Sequence, residues 1–228
     1  MRNLSYKNKF LKTLIGICTV FTLFLSTNTK ILANESETPE VKNVLNESTG
    51  YIFIGDSRTV GMNDYLKIDD NDNIFTVAKV GKGYNWFLSE GYKEVEKIRK
   101  ENDYKNWTYV FNLGVNDLWN ISEYKYLINS LKNEANLVFV SVNPVIESKV
   151  QTVDNKTIEE FNEDISFKLD NCVDTYSYLN EVGFDSEDGL HYTKETYTDI
   201  YNYEVVEIRK MEIDNFYQKI DENILTYM

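Results

Sequence analysis

Histidine is almost missing from this chain: one among 228 residues, at position 191. Cysteine and proline are nearly as scarce, with two of each. Cys18 lies inside an apolar run, Leu14 to Leu25 (LIGICTVFTLFL), that is too short for a comfortable membrane span. Arg2, Lys7, Lys9 and Lys12 precede the run, and Ala33 ends a stretch suited to cleavage. Residues 1–33 are therefore expected to be a secretory signal peptide, with an uncleaved N-terminal anchor as the alternative. Ile17, the residue before Cys18, does not suit a lipidation cysteine. Cleavage would leave Cys172 alone, so no internal disulfide is expected and stability must come from the core. One histidine and one cysteine also make no zinc ligand set. The run Asp69-Asp70-Asn71-Asp72-Asn73 lacks the glycine and distal glutamate of an EF-hand loop, and reads as a polar turn. Neither a metal nor a cofactor is expected.

Positive charge is short as well. Lys and Arg number 24 against 37 Asp and Glu, a net charge of −13. Loss of residues 1–33 would remove Arg2, Lys7, Lys9, Lys12 and Lys30 and no acid. Such a surface repels nucleic acid and anionic membranes. The expected substrate is neutral or cationic, or is held by short-range contacts, and no stable membrane insertion is expected after cleavage.

Residues 34–49 (NESETPEVKNVLNEST) are polar and acidic and read as a flexible lead-in to a domain over 50–228. From Tyr51 onward, short runs rich in β-branched and aromatic residues alternate with helical patterns. The runs are Tyr51–Gly55, Ile74–Val80, Thr108–Leu113, Leu137–Val142 and, more weakly, Val173–Tyr178. Between or after them, 3.6-residue periodicity predicts helices over Trp86–Lys100, Ser122–Asn133, Ile158–Leu169 and from Lys194 to about Ile224. Strand-helix alternation implies an α/β fold with a parallel sheet covered on both faces. Ligands of such sheets bind beyond the carboxyl ends of the strands.

The residues at those ends carry chemistry. Gly55-Asp56-Ser57 follows the first run, and Ser57 is either a helix cap or a nucleophile at the sheet edge. Asp56 is expected to hydrogen-bond the backbone of the turn. Gly81 and Gly83 follow the second run, where a glycine lets a backbone N–H approach a ligand. Leu113-Gly114-Val115-Asn116-Asp117 follows the third. Gly114 would allow a sharp turn, and the Asn116 amide would project over the same edge as Ser57, as an oxyanion donor or as an ordinary turn residue. Late in the chain stands Asp188-Gly189-Leu190-His191. An aspartate three residues before a histidine can turn back to meet the imidazole and fix its tautomer.

Together these blocks resemble the SGNH hydrolases, or GDSL-type esterases: GDS at 55–57, a glycine after the second strand, GVND at 114–117 and DGLH at 188–191. They occur in the family's order and span most of residues 50–192. The resemblance implies a three-layer α/β/α sandwich with a mainly parallel five-stranded sheet, similar to flavodoxin. It implies Ser57 as nucleophile, His191 as general base and then acid, and Asp188 as the residue that orients His191. It implies an oxyanion hole from the Ser57 N–H, the Gly81 N–H and the Asn116 side chain, with Gly83 as the rival glycine and a substrate contact. The first block departs from the family, reading GDSR. Arg58 is expected either to face solvent or to bind a substrate oxygen. The implied activity is a secreted serine esterase for small acyl groups, acetyl first, on a small-molecule or glycan ester. The alternatives are an O-acyltransferase and a non-catalytic binding protein on the same fold. Tyr84, Trp86, Trp107 and Trp119 stand near the motif ends, either as core and rim packing or as platforms for sugar rings.

Overall fold

The computed structural model describes residues 45–131, 134–166 and 171–226. The expected signal peptide and most of the lead-in lie outside the described residues. The sheet begins with β1 (Thr49–Gly55), buried at every position. A strand covered on both faces reads as a continuous apolar run, which is how this one reads. It is followed by β2 (Ile74–Ala78), β3 (Asn106–Asn112), β4 (Asn136–Val140) and the short β5 (Cys172–Val173). All pairs are parallel, in the order β2-β1-β3-β4-β5. Chain direction across the sheet therefore reverses at β1 and β3, the switch point where open α/β sheets bind ligands. The register sets Gly55 opposite both Ala78 and Asn112, so the ends of these three strands are level.

Alternation along the strands sends side chains into two cores. Ile52, Ile54, Tyr109, Phe111 and Phe139 face one side. There they meet α3 (Tyr92–Glu101), α4 (Ile121–Leu131) and α5 (Asn155–Ser166) through Val95, Leu127, Ile158 and Phe161. Tyr51, Phe53, Val110 and Val138 face the other side. They pack on α1 (Ser57–Leu66), α6 (Thr175–Val182) and the long α7 (Lys194–Thr226) through Met62, Leu179, Tyr201 and Val205. Burying each such side chain contributes roughly 1.5–3 kcal/mol, and these two layers hold the sandwich together. The expected architecture is the observed one.

Several boundaries differ by a residue or two, and three differences have a distinct physical reason. The second run ends as strand at Ala78, because Gly81 turns the chain with φ +68°. The fifth run is strand only over two residues. Asp174 then caps α6 by accepting the Ser177 N–H at 3.0 Å, and the cap outweighs the β propensity of Tyr176 and Tyr178. The helix expected over Trp86–Lys100 is divided into α2 (Tyr84–Trp86), a π-helical turn (Phe87–Gly91) and α3.

Candidate active site

Ser57 sits two residues past the end of β1, as the first residue of α1. Asp56 makes that position. Its side chain caps the helix by accepting the Arg58 N–H at 2.9 Å. The Ser57 N–H is thereby left among the orphan donors of the helix start, at the positive end of the dipole. Asp56 is fully buried, and burial pushes its carboxyl up to about 6 against the pull of the Arg58 charge.

The late loop brings the other two residues to Ser57. His191 Nε2 lies 2.8 Å from Ser57 Oγ. His191 Nδ1 lies 2.7 Å from Asp188 Oδ2. The other carboxylate oxygen, Oδ1, accepts the backbone N–H groups of Leu190 at 2.9 Å and His191 at 2.7 Å. Partial burial works to raise the Asp188 pKa, but the hydrogen bonds from the His191 backbone, the His191 ring and the Leu190 N–H outweigh it. They hold the carboxyl well below the usual range. The three-residue spacing thus closes into a tight loop whose carboxylate is fixed before it meets the ring. Gly189 permits the turn with φ +93°, where an added Cβ would press on Lys149 Cβ at 2.6 Å and Ile146 O at 3.0 Å. The Ser186 hydroxyl donates to the His191 carbonyl at 2.6 Å and accepts the Gly189 N–H at 2.8 Å, which closes the loop from inside.

The β3 end forms the opposite corner. Gly114 turns the chain at φ +138°, with Val142 and Phe161 packed where a side chain would stand. Asn116 follows, half-buried, with one amide N–H donated to the Lys82 carbonyl at 2.9 Å. That bond ties the β3 end to the β2 end and leaves the second amide N–H uncommitted. Gly81 occupies a left-handed turn with open space beside its Cα, whereas Gly83 lies against the Asp117 carboxylate with no room for a side chain. Gly83 is thereby a packing position, and Gly81 is the one with open space beside it.

Two arrangements were not foreseen. Asp117 is buried and collects the Tyr84 N–H at 2.8 Å, the Tyr124 hydroxyl at 2.8 Å and the Asn120 amide at 3.2 Å. It pins the β2 loop to the β3 loop. Its signal in the sequence was its place in the GVND block beside Asn116. Arg58 meets neither expectation for it. Only 7% of it is exposed. Its Nε donates to the Leu190 carbonyl at 3.1 Å and its Nη1 to the Asn143 carbonyl at 2.9 Å, while the guanidinium lies 5.2 Å from the Tyr192 ring centre. The cation is a strut beneath the His191 loop and does not reach solvent. The aromatics divide too. Tyr84 and Trp107 are buried, Trp86 packs partly on the core, and Trp119 is 77% exposed.

No protein-family model and no curated protein matches the chain. Solved structures do. A lipase/acylhydrolase from Enterococcus faecalis superposes with a TM-score of 0.54 at 17% identity, over 71% of this chain and 96% of that one. A Streptococcus pneumoniae protein described as a platelet activating factor superposes at 0.53 with 16% identity, over 83% of this chain and 96% of that one. The chain has the SGNH-hydrolase fold. At such identity the likeness is one of fold, and the chemistry rests on this chain's own residues.

Proposed function

We propose that this protein is an exported serine esterase of the SGNH type that removes small acyl groups, acetyl first. The observation that carries the reading is the unbroken chain Ser57 Oγ, His191 Nε2, His191 Nδ1, Asp188 Oδ2, with links of 2.8 and 2.7 Å. In this reading His191 accepts the serine proton as Oγ bonds to the ester carbonyl carbon. The carbonyl oxygen becomes an oxyanion that accepts from the Ser57 N–H, the Gly81 N–H and the second Asn116 amide N–H. Collapse breaks the ester C–O bond, and His191 returns the proton to the leaving alcohol. Water, deprotonated by the same imidazole, then releases the acid from the acyl-enzyme. Asp188 stays ionised throughout and holds Nδ1 protonated.

The substrate side of the site favours a sugar ester. A groove of about 360 Å³ runs from Gly81 and Asn116 past Asn85 and Ser89 to Trp86 and Trp119. That volume suits a small ligand. Amide carbonyls offer acceptors for hydroxyl groups, and exposed Trp119 offers a flat apolar face for the C–H side of a pyranose ring. Its exposure sets Trp119 apart from the aromatics that serve packing.

The deciding experiment is turnover of vinyl acetate and of an acetylated xylo-oligosaccharide by the wild type, Ser57→Ala and Trp119→Ala. Ser57→Ala should abolish both reactions. Trp119→Ala should raise KM for the oligosaccharide about tenfold, the loss of one aromatic contact of roughly 1.4 kcal/mol, and leave vinyl acetate unchanged. A Ser57→Ala enzyme as active as wild type refutes the serine mechanism. Equal KM values for wild type and Trp119→Ala refute the sugar groove alone.

A further inference from the structure

Behind the site, between the strand ends and α7, lies a small polar recess of about 30 Å³, room for one or two water molecules. Its lining is unlike a packed core. Arg58 Nη2, Thr59 Oγ1, Asn112 Nδ2, Asn143 Oδ1, Tyr197 OH and Glu204 Oε2 are all buried, all belong to residues around this one space, and none makes a well-aligned hydrogen bond within the protein; the Asn112 amide approaches the Glu204 carboxyl and the Tyr192 N–H approaches Tyr197 without completing the set. Buried polar atoms are nearly always satisfied, and orphans gathered at one place point to a shared bridge. The set is also balanced. Arg58 and Asn112 can only donate there, Asn143 and Glu204 have oxygens that accept, and Thr59 and Tyr197 can do either. Water, which donates twice and accepts twice, satisfies such a set. A bare cation does not suit it, because the Arg58 guanidinium faces the same space.

The cavity has a way of reaching the reaction centre. Arg58 uses its other two nitrogens on Leu190, the residue before His191, and on Asn143, beyond the end of β4. Tyr192, the residue after His191, lies along the guanidinium and donates its hydroxyl to the Pro144 carbonyl at 2.6 Å. The guanidinium thus grips the histidine loop on both sides of the ring, and its remaining nitrogen points to the cavity that Glu204 lines from α7. Glu204 is 1% exposed, and its Oε2 makes no well-aligned hydrogen bond, with only the Asn112 amide and the Tyr201 hydroxyl nearby. A buried carboxyl kept at such a cost to stability suggests a task beyond packing.

We propose that bound water in this cavity links the Glu204 carboxyl to the Arg58 guanidinium, and that both are positioning residues that fix the His191 ring against Ser57. The proposal rests on the esterase reading for the purpose of that ring, but its test does not need turnover. His191 is the only histidine in the chain, so imidazole signals in a nuclear magnetic resonance spectrum report this residue alone. In the full chain, Glu204→Leu fills the cavity with carbon and removes the bridge, while Glu204→Gln keeps a group that can bond water. Glu204→Leu should shift the His191 Nδ1 proton signal, shift the imidazole titration, and lower kcat about tenfold with KM within twofold. Glu204→Gln should keep most of both, and Arg58→Lys should resemble Glu204→Leu. A crystal structure of the unaltered protein should show solvent density within hydrogen-bond distance of both Arg58 Nη2 and Glu204 Oε2.

A dry cavity overturns the proposal. So does a folded Glu204→Leu protein with wild-type imidazole signals and wild-type kcat. Shifted signals in a protein that hydrolyses no ester would sustain the positioning network and remove the esterase reading instead.

Discussion

Asp188 is half exposed at its side chain, yet it is held by three separate hydrogen bonds, and this combination decides how its variants behave. Asp188→Ala opens the position to water, which can still accept from the His191 Nδ1–H. Asp188→Asn keeps the shape and turns an amide N–H toward the ring. The ring must then accept at Nδ1 and carry its proton on Nε2, facing Ser57 with no lone pair to offer. The asparagine variant should lose on the order of 10⁴-fold in kcat, as wrong-tautomer triads do, and the alanine variant less. Steady-state turnover of one ester by both variants checks the order, and an alanine variant slower than the asparagine one refutes this account of Asp188. Asn116→Ala should lower kcat about 10²-fold through loss of an oxyanion donor. Activity should also fall as the solution is acidified, because a protonated imidazole cannot accept the serine proton. The carboxylate of Asp188, held well below the usual range, remains ionised across that fall and does not cause it.

The strand ends turn these residues toward each other, and two glycines are the means. Gly114→Ala places a methyl group 2.8 Å from Val142 Cγ2 and 3.0 Å from Phe161 at a φ of +138°. Strain and overpacking together should cost about 1–3 kcal/mol, seen as a lower Tm, and should move Asn116 enough to reduce kcat as well. Loss of stability with unchanged kcat would separate the turn from the site. Much of this level was legible in the sequence. β1 read as a strand because both faces of a central parallel strand are apolar, and the loop 188–191 read as a histidine clamp because three residues suffice to close it. Other features were not legible, because they depend on contacts far apart in the chain. Arg58 reads in the sequence as a cation that either faces solvent or binds a substrate oxygen. Only the arrival of Leu190 and Asn143, from distant segments, gives its guanidinium carbonyls to bind below the surface. The polarity of Asp117 gave no hint that Tyr84 and Tyr124 would converge on it. The tyrosines of 173–178 suggested a longer strand, and a single capping bond from Asp174 decided for helix.

At the scale of the whole molecule, buried acids should make stability depend on pH in an unusual direction. Burial pushes Glu204 up from 4.5 to about 8, partly offset by the nearby Asn112 amide, and pushes Asp56 up from 3.8 to about 6. A raised carboxyl pKa means that the folded protein holds a proton which the unfolded chain releases. Between the two pKa values the folded state binds more protons, so stability declines as pH rises. For Glu204 the contribution is fully present below about 4.5 and is lost progressively up to about 8. At roughly 1.36 kcal/mol per unit, its upper bound is on the order of 4–5 kcal/mol. Asp56 acts in the same sense between about 4 and 6. Mutual repulsion within a chain of net charge −13 adds to the trend at higher pH. Asp188 opposes it, but its exposure screens the effect. Thermal unfolding should therefore give a lower Tm at pH 8.5 than at pH 5.5. Glu204→Gln, which cannot ionise, should narrow that gap by raising the alkaline value while leaving the acid one nearly unchanged. An equal gap in wild type and Glu204→Gln would mean that Glu204 is satisfied in its charged form, and that the polar cavity serves to stabilise a carboxylate.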